Sequence, residues 1–168
     1  MDNMLDLLYP EVAKREALLL QNIEKRGLKM RMLSGLRSLK SQKELFDQGR
    51  INPGPIVTKR KISSHNLGLA VDNCFQGKTP FPPAGDKSWL VYMEEAKKLG
   101  FECGGEWHDI KDYPHIQFLC GYSLDALCDA LKLNGIEKVW THLDMKLNKS
   151  PGIEWASRLS KVKSFLEG

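Results

Sequence analysis

Nowhere in these 168 residues is there an apolar run near the roughly 20 residues that a membrane-spanning helix needs. The opening stretch, MDNMLDLLYPEVAKREALLL, carries Asp2, Asp6 and Glu11 and has no basic segment leading into an apolar one, so it is not expected to be a secretion signal. Cysteine is sparse and unpatterned. Cys74, Cys103, Cys120 and Cys128 show neither C-x-x-C pairing nor zinc-finger spacing, and free, mostly buried thiols are expected. A basic stripe with interleaved aromatics is also missing: the net charge is only +4, with Lys and Arg dispersed. Nucleic acid is therefore not expected as a partner. There are no internal repeats and no low-complexity tracts. What remains is an ordinary globular composition, 42% apolar and 27% charged, at a length that suits one self-sufficient domain.

Local patterning predicts an α+β fold. Leu5, Leu8, Val12, Leu19 and Ile23 fall on one helical face, and Gly27 follows Lys25 and Arg26 as a stop. Leu28 to Leu33 alternates apolar and basic residues as a half-buried strand does, with Lys29 and Arg31 outward. A helix from about Ser38 to Gln48 stops at Gly49. Pro53, Gly54 and Pro55 mark a loop, and the turn-rich QGKTPFPPAGD is a candidate wall for a cleft. Asp86 caps a third helix with Trp89, Met93 and Ala96 on one face. Short strands are expected at Phe101 to Cys103 and His115 to Leu119. Ser123 caps a helix carrying Leu124, Leu127, Cys128 and Leu131, and Ser150-Pro151 is expected to open a last one carrying Trp155, Leu159, Val162 and Leu166. The sum is a small antiparallel sheet with packed helices and a helical C-terminal third.

Two segments carry chemistry. In His65-Asn66-Leu67-Gly68-Leu69-Ala70-Val71-Asp72, a loop histidine precedes a strand in which Ala70 and Asp72 share a face. Gly68 lets the backbone turn back so that His65 and Asp72 can converge. In Asp112-Tyr113-Pro114-His115-Ile116-Gln117-Phe118, Pro114 stiffens the entry to a strand with His115 and Gln117 on one face and Ile116 and Phe118 toward the core. Two imidazoles and a carboxylate are good zinc donors, and three protein ligands leave a position open for catalysis. Spacing alone suits polar residues at strand ends better than it suits ligands. His108, beside Trp107, is read as solvent-facing and not as a ligand, with a part in substrate binding as the alternative, and His142 as irrelevant to the site.

Ser63-x-His65-x-x-Gly68-x-Ala70-x-Asp72, with Asp112-x-x-His115 downstream, resembles the signature of the D-alanyl-D-alanine-type zinc carboxypeptidases and their endopeptidase relatives, peptidase family M15. In particular it resembles the L-alanyl-D-glutamate peptidases of phage endolysins and of some bacterial cell-wall hydrolases. The likeness runs through LYPEVAKREALLL, LKMRMLSGLRSLKSQKELFDQGR, PGPIVT and GGEWHDIKDYPHIQF, about residues 5 to 119. It implies a hedgehog/D-Ala-D-Ala-peptidase-like fold, with a zinc peptidase domain at 1–120 and a helical extension at 121–168 packed on it. It implies Zn2+ held by His65, Asp72 and His115, Asp112 as the catalytic base and Arg37 facing the scissile carbonyl. Ser63 and Gln42 are candidate substrate contacts. Ser63 also suits a bond within its own loop, and Gln42 an exposed helix position.

The implied substrate is the peptidoglycan stem peptide, cut at its L-alanyl-D-glutamate bond. A D-alanyl-D-alanine carboxypeptidase, or a non-catalytic zinc-binding module of the same fold, are the alternatives. Dipeptidase-type relatives place glutamate where Asp112 stands, so the aspartate resembles the endopeptidase branch. Ile116 and Leu36 replace aromatic residues common at their positions. The implied setting is a monomer without stable membrane association. It would accumulate in the host or bacterial cytoplasm and reach the wall through a permeabilised membrane. For the residues from Gly121 onward, core padding and a small wall-binding module are both open.

Overall fold

A computed structural model describes residues 4–168, so Asp2 lies outside the described residues. Its centre is a four-stranded antiparallel sheet of β1 (Met30–Ser34), β2 (Ala70–Phe75), β3 (Glu102–Cys103) and β4 (His115–Gln117), in the spatial order β1-β2-β4-β3. Side chains directly opposite in antiparallel strands share a face. Met30 and Met32 pair with Phe75 and Asn73, and this face meets two helices, α1 (Pro10–Lys25) and α3 (Lys87–Lys98). On the other face Asp72 lies opposite His115 and Ala70 opposite Gln117. The two-residue period therefore gives the sheet an apolar back and a polar front.

Fully buried Val71 and Ile116 bind the strands to the back layer, each worth roughly 1.5–3 kcal/mol against exposure. Between Met32 and Ser34 the register shifts, so that two residues of β1 oppose one of β2. This bulge leaves Leu33 unpaired and 44% exposed, where plain alternation would have been simpler.

The first helix is shorter than the periodicity of Leu5 onward suggests. A 3-10 turn spans Met4–Leu7, Tyr9 is extended, and α1 begins at Pro10. Proline has no N–H and disfavours a helical residue before it, so it serves as a first-turn residue and the helix cannot run through it. Val12, Leu19 and Ile23 are buried as expected. The second helix, α2 (Leu39–Asp47), is capped by the Ser38 side chain, which accepts from Ser41 N–H. Asp86 caps α3 through Ser88 N–H, and Trp89, Met93 and Ala96 are buried there. All four cysteines are free.

The C-terminal third is helical. The fourth helix, α4 (Leu124–Lys146), capped by Ser123, is interrupted at Gly135, whose φ of 76° and ψ of 176° lie outside the helix basin. The last helix does not begin behind Ser150-Pro151. Gly152 adopts a φ of 82°, a 3-10 turn follows at Ala156–Arg158, and α5 spans Leu159–Glu167. Trp155 is buried ahead of that helix and not within it. Nor does QGKTPFPPAGD wall the main cleft: residues 76–86 border a separate hollow beside Gly27 to Lys29.

Candidate metal centre

His65 is carried by a 3-10 turn, Ser64–Leu67, that ends on Gly68 in the left-handed region (φ 66°, ψ 25°). That conformation is nearly free only for glycine. It sends the chain back into β2, so that seven residues later Asp72 faces the same point. The Ser63 backbone N–H donates to Asn66 Oδ1, closing a capping box around the turn, and Asn66 Nδ2 donates to the carbonyls of Arg37 and Ser38. The turn is thus tied to the junction between β1 and α2.

Three donor atoms converge. His65 Nε2 lies 3.2 Å from Asp72 Oδ1 and 3.2 Å from His115 Nδ1, and His115 Nδ1 lies 3.1 Å from Asp72 Oδ1. A tetrahedral zinc ion with bonds of about 2.0–2.1 Å has ligand-to-ligand edges of about 3.3 Å, so the triangle is of the right size. The outer ring nitrogens explain why the inner ones point inward. His65 Nδ1 is 2.8 Å from the Gly35 carbonyl, and His115 Nε2 is 3.3 Å from Gln117 Oε1, whose amide in turn donates to Glu102 at 2.9 Å. If each outer nitrogen carries the proton, each inner one presents a lone pair. Two such lone pairs and a carboxylate facing one another repel unless a cation lies between them. The residues therefore fit a metal ion, and this is the one group among the described residues whose donors can hold one.

The electrostatics agree. Burial would raise the Asp72 carboxyl, but the adjoining His115 and His65 imidazoles hold it well below the usual carboxylate range. Asp112 behaves oppositely. Burial first, and then the neighbouring charge of Asp72, raise its pKa above the usual carboxylate value. Arg37 is half-buried, which lowers its pKa, while Asp72 and Asp112 act to raise it; one of its nitrogens lies 3.7 Å from Asp72 Oδ2.

A cleft of about 660 Å³ opens above the triangle, and Arg37, Ser63, His65, Asp72, Asp112 and His115 all line it. Gln42 does not. It is fully buried beneath the cleft, accepting from Arg37 Nη1 and Ser63 Oγ (3.0 Å each) and donating to the Arg60 carbonyl at 2.8 Å. Its amide joins the arginine to the strap of residues 57–60. That strap and residues 107–110 form the cleft walls in place of 76–86. His108 lines the rim with a fully exposed side chain, away from the donor triangle, and His142 is half-buried on α4.

Several contributors escaped sequence reasoning. Gly35 supplies a carbonyl, Glu102 anchors Gln117, and the Trp107 ring packs against His115 at 4.9 Å between centroids. Gly104 also belongs here. A Cβ built on it would lie 2.5 Å from the Asp112 carbonyl oxygen and 3.1 Å from His115 Cβ. The Gly104-Gly105 pair was the available signal, since adjacent glycines beside a site indicate close backbone approach.

Comparison with known proteins adds a lineage. A family model described as D-alanyl-D-alanine carboxypeptidase matches residues 57–118. The chain is 37% identical over 123 residues to the peptidoglycan L-alanyl-D-glutamate endopeptidase CwlK of Bacillus subtilis, covering 67% of this chain and 74% of that protein. It is 34% identical over 107 residues to the L-alanyl-D-glutamate peptidase of Listeria phage A118, covering 61% of this chain but 35% of the phage protein. Among solved structures, the Serratia marcescens L-Ala D-Glu endopeptidase ChiX is similar with a TM-score of 0.52 and 24% identity, covering 68% of this chain and 82% of that one. That last likeness speaks to the fold.

Proposed function

The chain belongs to the M15 family of peptidases, and we propose that it is a zinc-dependent endopeptidase that hydrolyses the L-alanyl-D-glutamate bond of peptidoglycan stem peptides. The observation that carries the reading is the triangle of inward-facing donors on the floor of an open cleft, with a carboxyl of raised pKa on its wall. Support for the particular bond comes from the named activities of the Bacillus and Listeria phage relatives.

On this reading His65, Asp72 and His115 hold Zn2+, which when bound supplies a Lewis acid and lowers the pKa of a water toward about 7. Asp112 then works as a general base. A carboxylate oxygen takes the proton that the attacking water loses, and the same oxygen returns it to the departing amine. Its raised pKa narrows the gap between these two tasks. Arg37 points its guanidinium into the cleft, where N–H donors stabilise negative charge on the carbonyl oxygen as it develops. Gln42 fixes the rotamer of Arg37 from below, and Ser63 Oγ, donating to Gln42 and accepting from the Asn66 N–H in the capping box, has one acceptor lone pair left for a substrate N–H.

All these groups lie in one chain, so a monomer suffices. No helix among the described residues is long and apolar enough to cross a membrane. Accumulation in the cytoplasm, followed by action on the wall once the membrane is permeabilised, accompanies the endolysin-like reading. Purified sacculi digested with the metal-loaded protein should yield new N-terminal D-glutamate by mass spectrometry. Released D-alanine would instead indicate a carboxypeptidase. Asp112→Ala should keep stoichiometric zinc and lose about 10²–10⁴-fold in turnover. Wild type and variant equally inert on every wall substrate would leave a binding module.

A further inference from the structure

The residues matched by the family model end at 118, yet the turn that carries His65 is backed by residues far beyond that point. Trp140, in the second half of α4, is fully buried and its Nε1–H donates to the Leu67 carbonyl at 2.8 Å. Leu67 is the last residue of the 3-10 turn, two positions after His65. At the next residue the same indole comes close enough that a Cβ on Gly68 would lie 3.2 Å from Trp140 Cζ2. The Gly68 carbonyl accepts from Tyr9 N–H at 3.0 Å, so the turn is clasped between the N-terminal segment and α4.

The clasp is itself rigid. Trp140 packs against Tyr9 and Trp155, each at 5.8 Å between ring centroids. One helical turn on, Asp144 is buried and accepts from Tyr9 Oη at 2.7 Å, Trp155 Nε1 at 2.7 Å and the Gly152 backbone N–H at 3.0 Å. Three donors satisfy that carboxylate without a cation. They also lock residues 140–155 to the entrance of α1.

A short 3-10 turn has little rigidity of its own, and its hydrogen bonds are poorer than those of an α-helix. Without the indole N–H the Leu67 carbonyl would be buried and short of a partner, a state the turn relieves by moving. Movement there carries His65 with it. We infer that Trp140 is a positioning residue for the metal centre, and that the C-terminal helices are a structural part of that centre and not a separable wall-binding module. The inference rests on the reading of His65 as a metal ligand.

Zinc affinity of the full chain, measured by chelator competition, tests it, together with the visible spectrum of the cobalt-loaded protein. Trp140→Phe keeps an aromatic ring and removes the donor. Incorporation of 3-benzothienylalanine at position 140 keeps the ring size as well, which guards against simple misfolding. Both should weaken zinc binding about 10-fold or more, the range seen when support to a ligand is removed, and both should alter the cobalt spectrum. Ile23→Ala, which opens a cavity at the opposite end of α1 from Tyr9, should lower Tm but leave zinc affinity and spectrum as in wild type. The inference is overturned if the position-140 variants bind zinc like wild type, or if Ile23→Ala weakens binding as much as they do. His65→Ala separates the two levels. Zinc retained by that variant would sink the ligand assignment and the inference with it. Zinc lost there but held normally by the position-140 variants would sink the inference alone.

Discussion

His65 and His115 on the floor of the cleft are nine-tenths or more buried and each is held by its outer ring nitrogen, whereas Lys59 and Asp109 on the rim pair at 3.0 Å with side chains 63% and 71% exposed, and the other neighbour of Asp109 is the fully exposed His108 at 3.4 Å. Floor geometry is set by the β2–β4 ladder and by bonds that water does not contest. Rim geometry is set by charges that water and salt contest fully. The difference assigns them different work. A metal site tolerates little displacement of its donors, while a wall that admits a polymeric substrate gains from yielding. Three substitutions probe this gradient, from beneath the floor to the outer rim.

The largest effect is expected beneath the floor. Glu16 on α1 is fully buried against β2, where Asn73 Nδ2 donates to Oε2 at 3.3 Å, while Glu16 Oε1 and Asn73 Oδ1 have no hydrogen-bond partner. This shortage of donors is relieved by a proton on Glu16. Burial pushes its pKa from 4.5 up to about 7 despite the bond from Asn73. The folded state thus holds this proton more tightly than the unfolded chain does. The contribution is fully present below pH 4.5 and is lost as the pH rises through about 7. The displacement corresponds to about 3 kcal/mol. Glu16→Gln carries no such proton. Denaturant titrations should show wild type losing about 3 kcal/mol relative to the variant between pH 4.5 and pH 8, with the variant the more stable at the upper end. Parallel pH profiles for the two proteins would defeat the prediction.

Where floor meets rim stands Gly104, and Gly104→Ala should cost somewhat less in free energy but more visibly in activity. The added methyl must displace the Asp112 carbonyl, which a Cβ would approach to 2.5 Å. On the proposed role of Asp112 as general base, moving its carboxyl by an ångström costs about 10²-fold in kcat/KM, or roughly 2.7 kcal/mol. Zinc should remain bound, because the donor triangle sits on β2, β4 and the 64–67 turn. Loss of zinc in this variant would mean that floor and wall are one unit, and the contrast drawn here would fail.

How far these features are legible in sequence follows the same gradient. Spacing left His65, Asp72 and His115 open between ligands and polar residues at strand ends, and the family resemblance is what joined them as a set; the glycine-broken turn and two strands of period two explain why they meet. The back layer was legible from its periodicity, in Val12, Leu19, Ile23, Trp89 and Met93. What escaped were partners and loops. Gln42 looked like an exposed helix residue or a substrate contact because nothing in its own helix reveals that Arg37, Ser63 and the Arg60 carbonyl surround it. The cleft wall was sought at 76–86 and is found at 57–60 and 107–110, since irregular segments carry no periodicity to say which way they fold. Trp140 carries no signal of its own in the sequence. Its N–H has meaning only once the Leu67 carbonyl is known to be buried beside it.

The smallest effect belongs to Lys59→Ala. The Lys59–Asp109 pair joins the strap to the opposite wall, and Arg60 is tied likewise to Asp125 at 2.7 Å. An ion pair this exposed contributes little to stability because water solvates both partners nearly as well apart, and two long side chains lose freedom to meet. Removing Lys59 should therefore leave Tm and zinc content at wild-type values. Opening that contact should change how the strap receives substrate and not how the bond is cut, so KM on defined muropeptides should move by about threefold or less with kcat unchanged. The shift should shrink further as ionic strength rises, because screening already weakens the pair in wild type. A tenfold fall in kcat would instead show that the rim takes part in chemistry, and that its exposed charges are held as firmly as the histidines below them.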